Sequence, residues 1–269
     1  MKNLIYQIWD GELRPACKYS SKLMKAYADK IGADYRLDLS PNIASKLVDK
    51  DGMYFEWLNP ILDDSFLEYD NVVVVDLDIF PTASCSKNIF EESYSDVGIC
   101  TEPFQGKYRA STIVGGIGMA NDEKWSRAVK KRYEIDLPRD TDGYLKVYNA
   151  GMVLFSNKGI QKCREKFEPF QEYMNYMRTI FKPPAGRFYV VDQNYFHVMM
   201  CKYLDYTEMN NGWNSYIHYV RGPLALQDDI NDSRNEFTEF VHIQLSSGDY
   251  FEDDKIHRIV NLPRSKWNL

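Results

Sequence analysis

The chain is poor in cysteine and histidine, and it has no long apolar run, basic excess or low-complexity linker. Its five cysteines, Cys17, Cys85, Cys100, Cys163 and Cys201, include no C-x-x-C pair. That spacing argues against a structural zinc site, and an odd number does not make a closed disulfide framework. Reduced thiols in a cytosolic compartment are the simplest account. No stretch approaches the ~20 consecutive apolar residues of a spanning helix. The apolar start is too short for a signal peptide. The expectation is therefore a chain with no transmembrane segment and a cytoplasmic location, which for a viral protein would be the host cytoplasm. The 33 Lys and Arg against 39 Asp and Glu give a net charge of −6. A nucleic-acid coat or a polybasic membrane anchor needs a basic face, so nucleic acid is not an expected partner. With no Pro/Ser-rich linker, residues 1–269 read as one domain with a loop-rich C-terminal third.

The chain does have an ordinary globular balance of 44% hydrophobic and 27% charged residues. It also carries 20 tyrosines. A ring with a polar tip suits sugar or base recognition, although a Tyr-rich rim of the core is the plainer reading. Residues 3–9 predict a strand, 15–31 an amphipathic helix ending at Gly32, and 33–39 a second strand. A helical stretch is expected over 42–67. Further strands are expected at 96–101, 113–120, 147–155 and 238–245, and helices at 122–133, 158–178 and 191–200. This alternation argues an α/β fold.

The sharpest feature is Asn71-Val72-Val73-Val74-Val75-Asp76-Leu77-Asp78. Four β-branched residues without polar alternation predict a central strand buried on both faces, as in a parallel sheet. On a regular strand Asp76 and Asp78 point to the same side, at the carboxyl end where ligands of open α/β sheets bind. Two carboxylates held together repel and call for a cation. Oxygen ligands suit Mg²⁺ or Mn²⁺, which keep coordination positions for phosphates. A strand-end Asp capping the next turn would explain one of the pair but not both. Haloacid-dehalogenase-type phosphatases carry a similar strand, but continue with a small residue and Thr, where this chain has Ile79 and Phe80.

Four more segments follow in order: Tyr148-Asn149-Ala150-Gly151-Met152-Val153, Asp192-Gln193-Asn194, Gly212-Trp213-Asn214 and Val241-His242-Ile243. With the Asp-x-Asp strand, they resemble the motifs of GT-A fold glycosyltransferases, closest in style to family 8. The resemblance covers most of the chain. It implies a Rossmann-like mixed sheet flanked by helices, and transfer of a sugar from a nucleotide-diphosphate donor, UDP favoured over GDP. The acceptor would be a glycan or glycoprotein. The resemblance implies that Asp76, Asp78 and His242 bind Mn²⁺ (or Mg²⁺), an imidazole suiting Mn²⁺ better. By the same resemblance Gln7, Ile8, Trp9 and Asp10 meet the nucleobase. Asp76, Leu77 and Asp78 meet the diphosphate. Asn149, Ala150 and Gly151 lie against the donor sugar, where Gly151 permits close backbone approach. Asp192 and Gln193 are the catalytic candidates in the sugar pocket, Asp192 being equally readable as a helix N-cap.

The chain departs from that family after His242, where no Lys follows until Lys255. Phosphate contacts would then come from Ser246 and Ser247, from backbone amides, or from Lys46 or Arg109. Retention and inversion stay open. The alternatives are an Asp-x-Asp phosphatase, and a non-catalytic domain that binds nucleotide sugar without transfer.

Overall fold

A computed structural model describes residues 1–102, 104–111, 113, 116–182, 186–219, 230–243 and 253–261. The chain opens with strand β1 (Asn3–Trp9), helix α1 (Pro15–Ile31) and strand β2 (Asp34–Leu39). Pro15 starts the helix where its missing N–H costs nothing. Gly32 ends it in the left-handed region, at φ 70°, with its N–H turned back to Ala28 and Asp29.

Strand β3 (Asn71–Val75) lies between β1 and β6 (Tyr148–Ser156). With β5 (Val97–Thr101) and β7 (Tyr206–Glu208) they form one six-stranded sheet in the order β2-β1-β3-β6-β5-β7. The sheet is mixed: β1 runs parallel to β2 and β3, while β6 runs antiparallel to both β3 and β5. The valine run of β3 is buried on both faces because alternate residues enter two separate cores. Val72 and Val74 pack with Leu4, Tyr6, Val153 and Phe155. Val73 and Val75 pack with Ile5, Met152 and Leu154 under Met24 and Tyr27 of α1. Helix α2 (Gln105–Ser111) follows β5, and the first core is closed by α3 (Met119–Tyr133), α4 (Asn157–Lys166), α5 (Phe170–Ile180) and α6 (Asp192–Tyr203).

A second sheet has the order β4-β10-β8-β9, made of β4 (Ile79–Pro81), β8 (Ser215–Tyr219), β9 (Ile230–Asp232) and β10 (Phe240–Ile243). Phe80, Ile217, Val241 and Ile243 pack it against Ala16 of α1 and Ile256 and Val260 of helix α7 (Asp253–Asn261). Asp76, Leu77 and Asp78 are the link from the large sheet to the small one.

Strands β4, β7, β8 and β9 and helix α7 have no counterpart in the sequence expectation, and the elements that were expected differ in four places. The valine strand has one parallel and one antiparallel neighbour, so its double burial reflects helices on both faces and not an all-parallel sheet. The helical stretch over 42–67 is three separate 3₁₀ segments, Ala44–Lys46, Gly52–Ile61 and Asp64–Glu68. Pro60, inside the second, lacks the N–H that an α-helix would need. The helix over 158–178 breaks at Phe167-Glu168-Pro169, since proline disfavours helical backbone in the residue before it. Between 113 and 120, the described residues belong to neither sheet, and α3 begins at Met119. Residues 244 and 245 of the last expected strand lie outside the described residues.

Candidate active site

Two backbone hydrogen bonds hold the Asp-x-Asp link. The Asp76 amide donates to the Gly151 carbonyl of β6 at 2.7 Å, and the Ile243 amide of β10 donates to the Asp78 carbonyl at 2.8 Å. Between them the chain turns, with the Ile79 amide donating to the Asp76 carbonyl at 3.1 Å. The carboxylates therefore converge through a turn, and not through the strand pleat inferred from the sequence.

His242 comes to meet them from β10, where it is paired with Ile79 of β4 and Tyr216 of β8. Its Nε2 lies 3.2 Å from Asp78 Oδ1. One ligand atom from each of Asp76, Asp78 and His242 falls within 4.8 Å of the others. Burial, with Asp78 next to it, raises the Asp76 carboxyl above the usual carboxylate range, against the pull of His242. Burial alone would lower the His242 imidazole, but Asp78 and then Asp76 outweigh it and leave it raised. Gly151 supplies the clearance. A Cβ there would sit 2.8 Å from Asn149 Oδ1, 2.8 Å from His242 Cε1 and 3.0 Å from Asp76 Oδ2. Two carboxylates and an imidazole around a space kept free of side chain are a donor set that fits Mn²⁺ or Mg²⁺.

This cluster forms the floor of a cleft of about 1070 Å³. Ile8, Trp9 and Asp10, at the end of β1, line one end, and Asn149, Ala150 and Gly151 line the wall beside the carboxylates. Leu77, Asp192 and Gln193 line it as well. Gln7 does not. It is fully buried beneath the floor, its Nε2 donating to the Asp76 carbonyl at 3.2 Å while its Oε1 accepts from Tyr35 Oη at 2.9 Å. The structure makes Gln7 a brace for the turn that carries Asp76.

Asp192 is the first residue of α6, with Val191 in the capping position. The N-cap alternative thus falls to Val191, and the Asp192 carboxylate sits in the first turn, where free amides favour negative charge. Trp57 Nε1, from the 3₁₀ segment Gly52–Ile61, donates to Asp192 Oδ2 at 2.7 Å. Burial pushes the Asp192 carboxyl up to about 6, while the Trp57 hydrogen bond and the amides of Gln193 and Asp192 hold it back.

Trp57, Glu56 and Glu102 line the cleft unannounced by any motif. Glu56 accepts the amides of Ile43, Ala44 and Ser45 at 2.8 to 3.3 Å and so shapes the rim. Glu102 follows an apolar strand just as Asp76 does, and that shared pattern was a usable signal. Trp57 meets Asp192 across 135 positions of sequence, and no local signal could announce that pairing. Of the phosphate-binding candidates, Arg109 lines the cleft, ion-paired with Asp122 at 3.2 Å, and Lys46 does not line it. Ser246 and Ser247 lie outside the described residues. Among the described residues lining the cleft, Asp10, Glu56, Asp76, Asp78, Glu102 and Asp192 face two guanidinium groups, Arg14 and Arg109, and the His242 imidazole.

No helix among the described residues is long and apolar enough to cross a membrane. No protein-family model matches the chain, and no curated protein sequence matches it. Solved structures do resemble it. The bifunctional glycosyltransferase WbbM, in its apo form, aligns over 90% of this chain with a TM-score of 0.54 at 13% identity. The alignment covers 45% of WbbM, so this chain spans less than half the length of that protein. Mouse xyloside xylosyltransferase 1 aligns over 93% of this chain and 100% of its own, with a TM-score of 0.49 at 11% identity. An active-site mutant of LgtC aligns over 90% of this chain and 87% of its own, with a TM-score of 0.45 at 14% identity. With its mixed sheet flanked by helices, and the WbbM likeness over nine-tenths of its residues, the chain has the GT-A glycosyltransferase fold.

Proposed function

We propose that residues 1–269 form one glycosyltransferase domain, metal-dependent, that moves a sugar from a nucleoside-diphosphate donor, UDP favoured, to a glycan or glycoprotein acceptor. The observation that carries this reading is the charge of the cleft. Among the described residues lining the cleft, six carboxylates face two guanidinium groups, and one of those is committed to Asp122. A diphosphate entering such a cleft is repelled unless a cation screens it. Asp76, Asp78 and His242 are the side chains placed to hold that cation. When bound, a divalent ion supplies Lewis-acid stabilisation of the charge that builds on the leaving diphosphate.

The remaining roles are those the family resemblance implies, and the side chains that would carry them line the cleft. Ile8, Trp9 and Asp10 take the nucleobase at the end of β1. Asn149 and Ala150 lie against the donor sugar. Asp192 and Gln193 face the sugar from the start of α6, with Trp57 fixing the orientation of the Asp192 carboxylate. The setting that goes with this reading is glycan biosynthesis in the cytoplasm.

A thermal-shift series with UDP, GDP and inorganic phosphate, each with Mn²⁺ and with EDTA, tests the reading. UDP with Mn²⁺ should stabilise the protein by about 2.7 kcal/mol at a hundredfold excess over its dissociation constant. In EDTA the effect should vanish, and Asp78→Ala should abolish it in Mn²⁺. Equal stabilisation by UDP in EDTA would sink the metal-bridged donor. Stabilisation by inorganic phosphate with Mg²⁺, and none by UDP, would favour phosphatase chemistry instead.

A further inference from the structure

We propose that Glu102 acts as a positioning residue for the metal site: through Asn149 and Asn214 it orders a chain of side-chain amides that leaves Nε2 of His242 as the nitrogen offered to a cation. The proposal rests on the metal-dependent reading above and adds a buried residue that touches none of the three candidate ligands.

The chain can be read link by link from groups whose roles are not interchangeable. A backbone N–H only donates and an ionised carboxylate only accepts. The Gly151 amide donates to Asn149 Oδ1 at 2.8 Å. Asn149 Nδ2 donates to Glu102 Oε1 at 2.7 Å. Both ends of the Asn149 amide are thereby fixed, and turning it over would set two donors face to face at Gly151 and two acceptors face to face at Glu102. Asn149 Oδ1 then has to receive the next contact as well, so Asn214 donates to it through Nδ2 at 2.9 Å. That leaves Asn214 Oδ1 facing His242 Nδ1 at 3.0 Å. An amide oxygen only accepts, so Nδ1 carries hydrogen and donates. The other ring nitrogen, Nε2, points at the Asp78 carboxylate, 3.2 Å away.

Glu102, Asn149, Asn214 and His242 are between 4% and 7% exposed. Water therefore cannot easily replace a lost link, and a misturned amide would leave a buried polar group unsatisfied. The chain also crosses the fold. It starts just beyond β5, passes through β6, and ends on β10 by way of the segment Asn211–Asn214 that leads into β8. It gives the Gly212-Trp213-Asn214 segment, which the sequence singled out without a role, a definite task. Hydrogen bonds to the second nitrogen of a ligating histidine fix the tautomer and the ring orientation, and losing such a partner costs 10–100-fold in metal affinity.

The experiment has two arms. Free Mn²⁺ is titrated by electron paramagnetic resonance in the parent protein and in Glu102→Ala, Glu102→Gln and Asn214→Leu. The ring nitrogens of His242 are assigned by long-range ¹H–¹⁵N correlation in the Zn²⁺-loaded parent, with His242→Gln as the assignment control. The expected result is a parent with hydrogen on Nδ1 and metal on Nε2. Glu102→Ala and Asn214→Leu should bind Mn²⁺ about tenfold or more weakly. Glu102→Gln should stay near the parent, because its side-chain carbonyl also accepts from Asn149. Parental Mn²⁺ affinity in both Glu102→Ala and Asn214→Leu, or hydrogen on Nε2 in the loaded parent, would overturn the relay while leaving the metal site standing. A parent that binds no Mn²⁺ at all would overturn both.

Discussion

Asp192→Asn will lower sugar transfer, or slow hydrolysis of the correct UDP-sugar, by about 10²-fold or more, the usual scale for loss of a positioned acid–base group. UDP affinity will stay near parental, because a group that acts on the reacting sugar changes kcat and not ground-state nucleotide binding. The substitution keeps the side-chain shape, and its oxygen can still accept from Trp57 Nε1, so the orientation seen at 2.7 Å survives. The pH dependence supplies an independent readout. Burial pushes the Asp192 carboxyl up to about 6, so parental turnover should fall as pH drops through that value. The sign for stability is the reverse. Because the folded value lies above the unfolded one, the folded state binds the proton more tightly and loses stability as pH rises from about 4 to about 6. At neutral pH the Asn variant should therefore melt no lower than the parent while turning over far more slowly. Trp57→Phe should reproduce part of the kcat loss with little change in UDP binding. Near-parental turnover in Asp192→Asn would remove Asp192 from the chemistry.

Gly151→Ala should cost about 10²-fold in Mn²⁺ affinity, the upper range for displaced metal ligands and their supports, and leave the fold intact. The added methyl has nowhere to go. Asn149 Oδ1, 2.8 Å from the ideal Cβ, is held by the Gly151 amide and by Asn214. His242 Cε1, at 2.8 Å, belongs to a ring held between Asn214 and Asp78. Asp76 Oδ2, at 3.0 Å, belongs to a residue whose backbone is tied to that of Gly151. Relief requires moving a ligand. The backbone of Gly151 lies in β6 and is not in the left-handed region, so alanine suits its conformation. Circular dichroism and a Mn²⁺ titration on the same sample separate the two effects. A variant that keeps parental Mn²⁺ affinity would place the ion elsewhere.

The parts of this arrangement that could be read from the sequence are those written in contiguous residues. The first β-α-β unit is bounded by Pro15 and Gly32, which signal locally. The valine run announces a doubly buried strand, and the acids that end it announce a binding edge. Asn149-Ala150-Gly151, Asp192-Gln193 and His242 were picked out by their resemblance to a family's motifs, and the structure brings all of them to one cleft. What stayed hidden depends on the third dimension. The chain between 42 and 67 has helical composition, but Pro60 and the demands of the cleft rim divide it into 3₁₀ segments. The family resemblance puts Gln7 of β1 among the residues that meet the nucleobase. Only the structure shows its side chain turned beneath the floor to brace Asp76. The Trp57–Asp192 bond and the link from Glu102 through Asn149 join residues 135 and 47 positions apart, with nothing in either local pattern to couple them.

Anomalous X-ray diffraction from a crystal grown with UDP and Mn²⁺ tests the central claim most directly. The account predicts one strong manganese peak at the cleft floor, within bonding distance of the Asp76 and Asp78 carboxylates and of His242 Nε2, with the diphosphate of UDP on its open side. UDP bound in the cleft with no manganese between it and these three side chains would contradict the account.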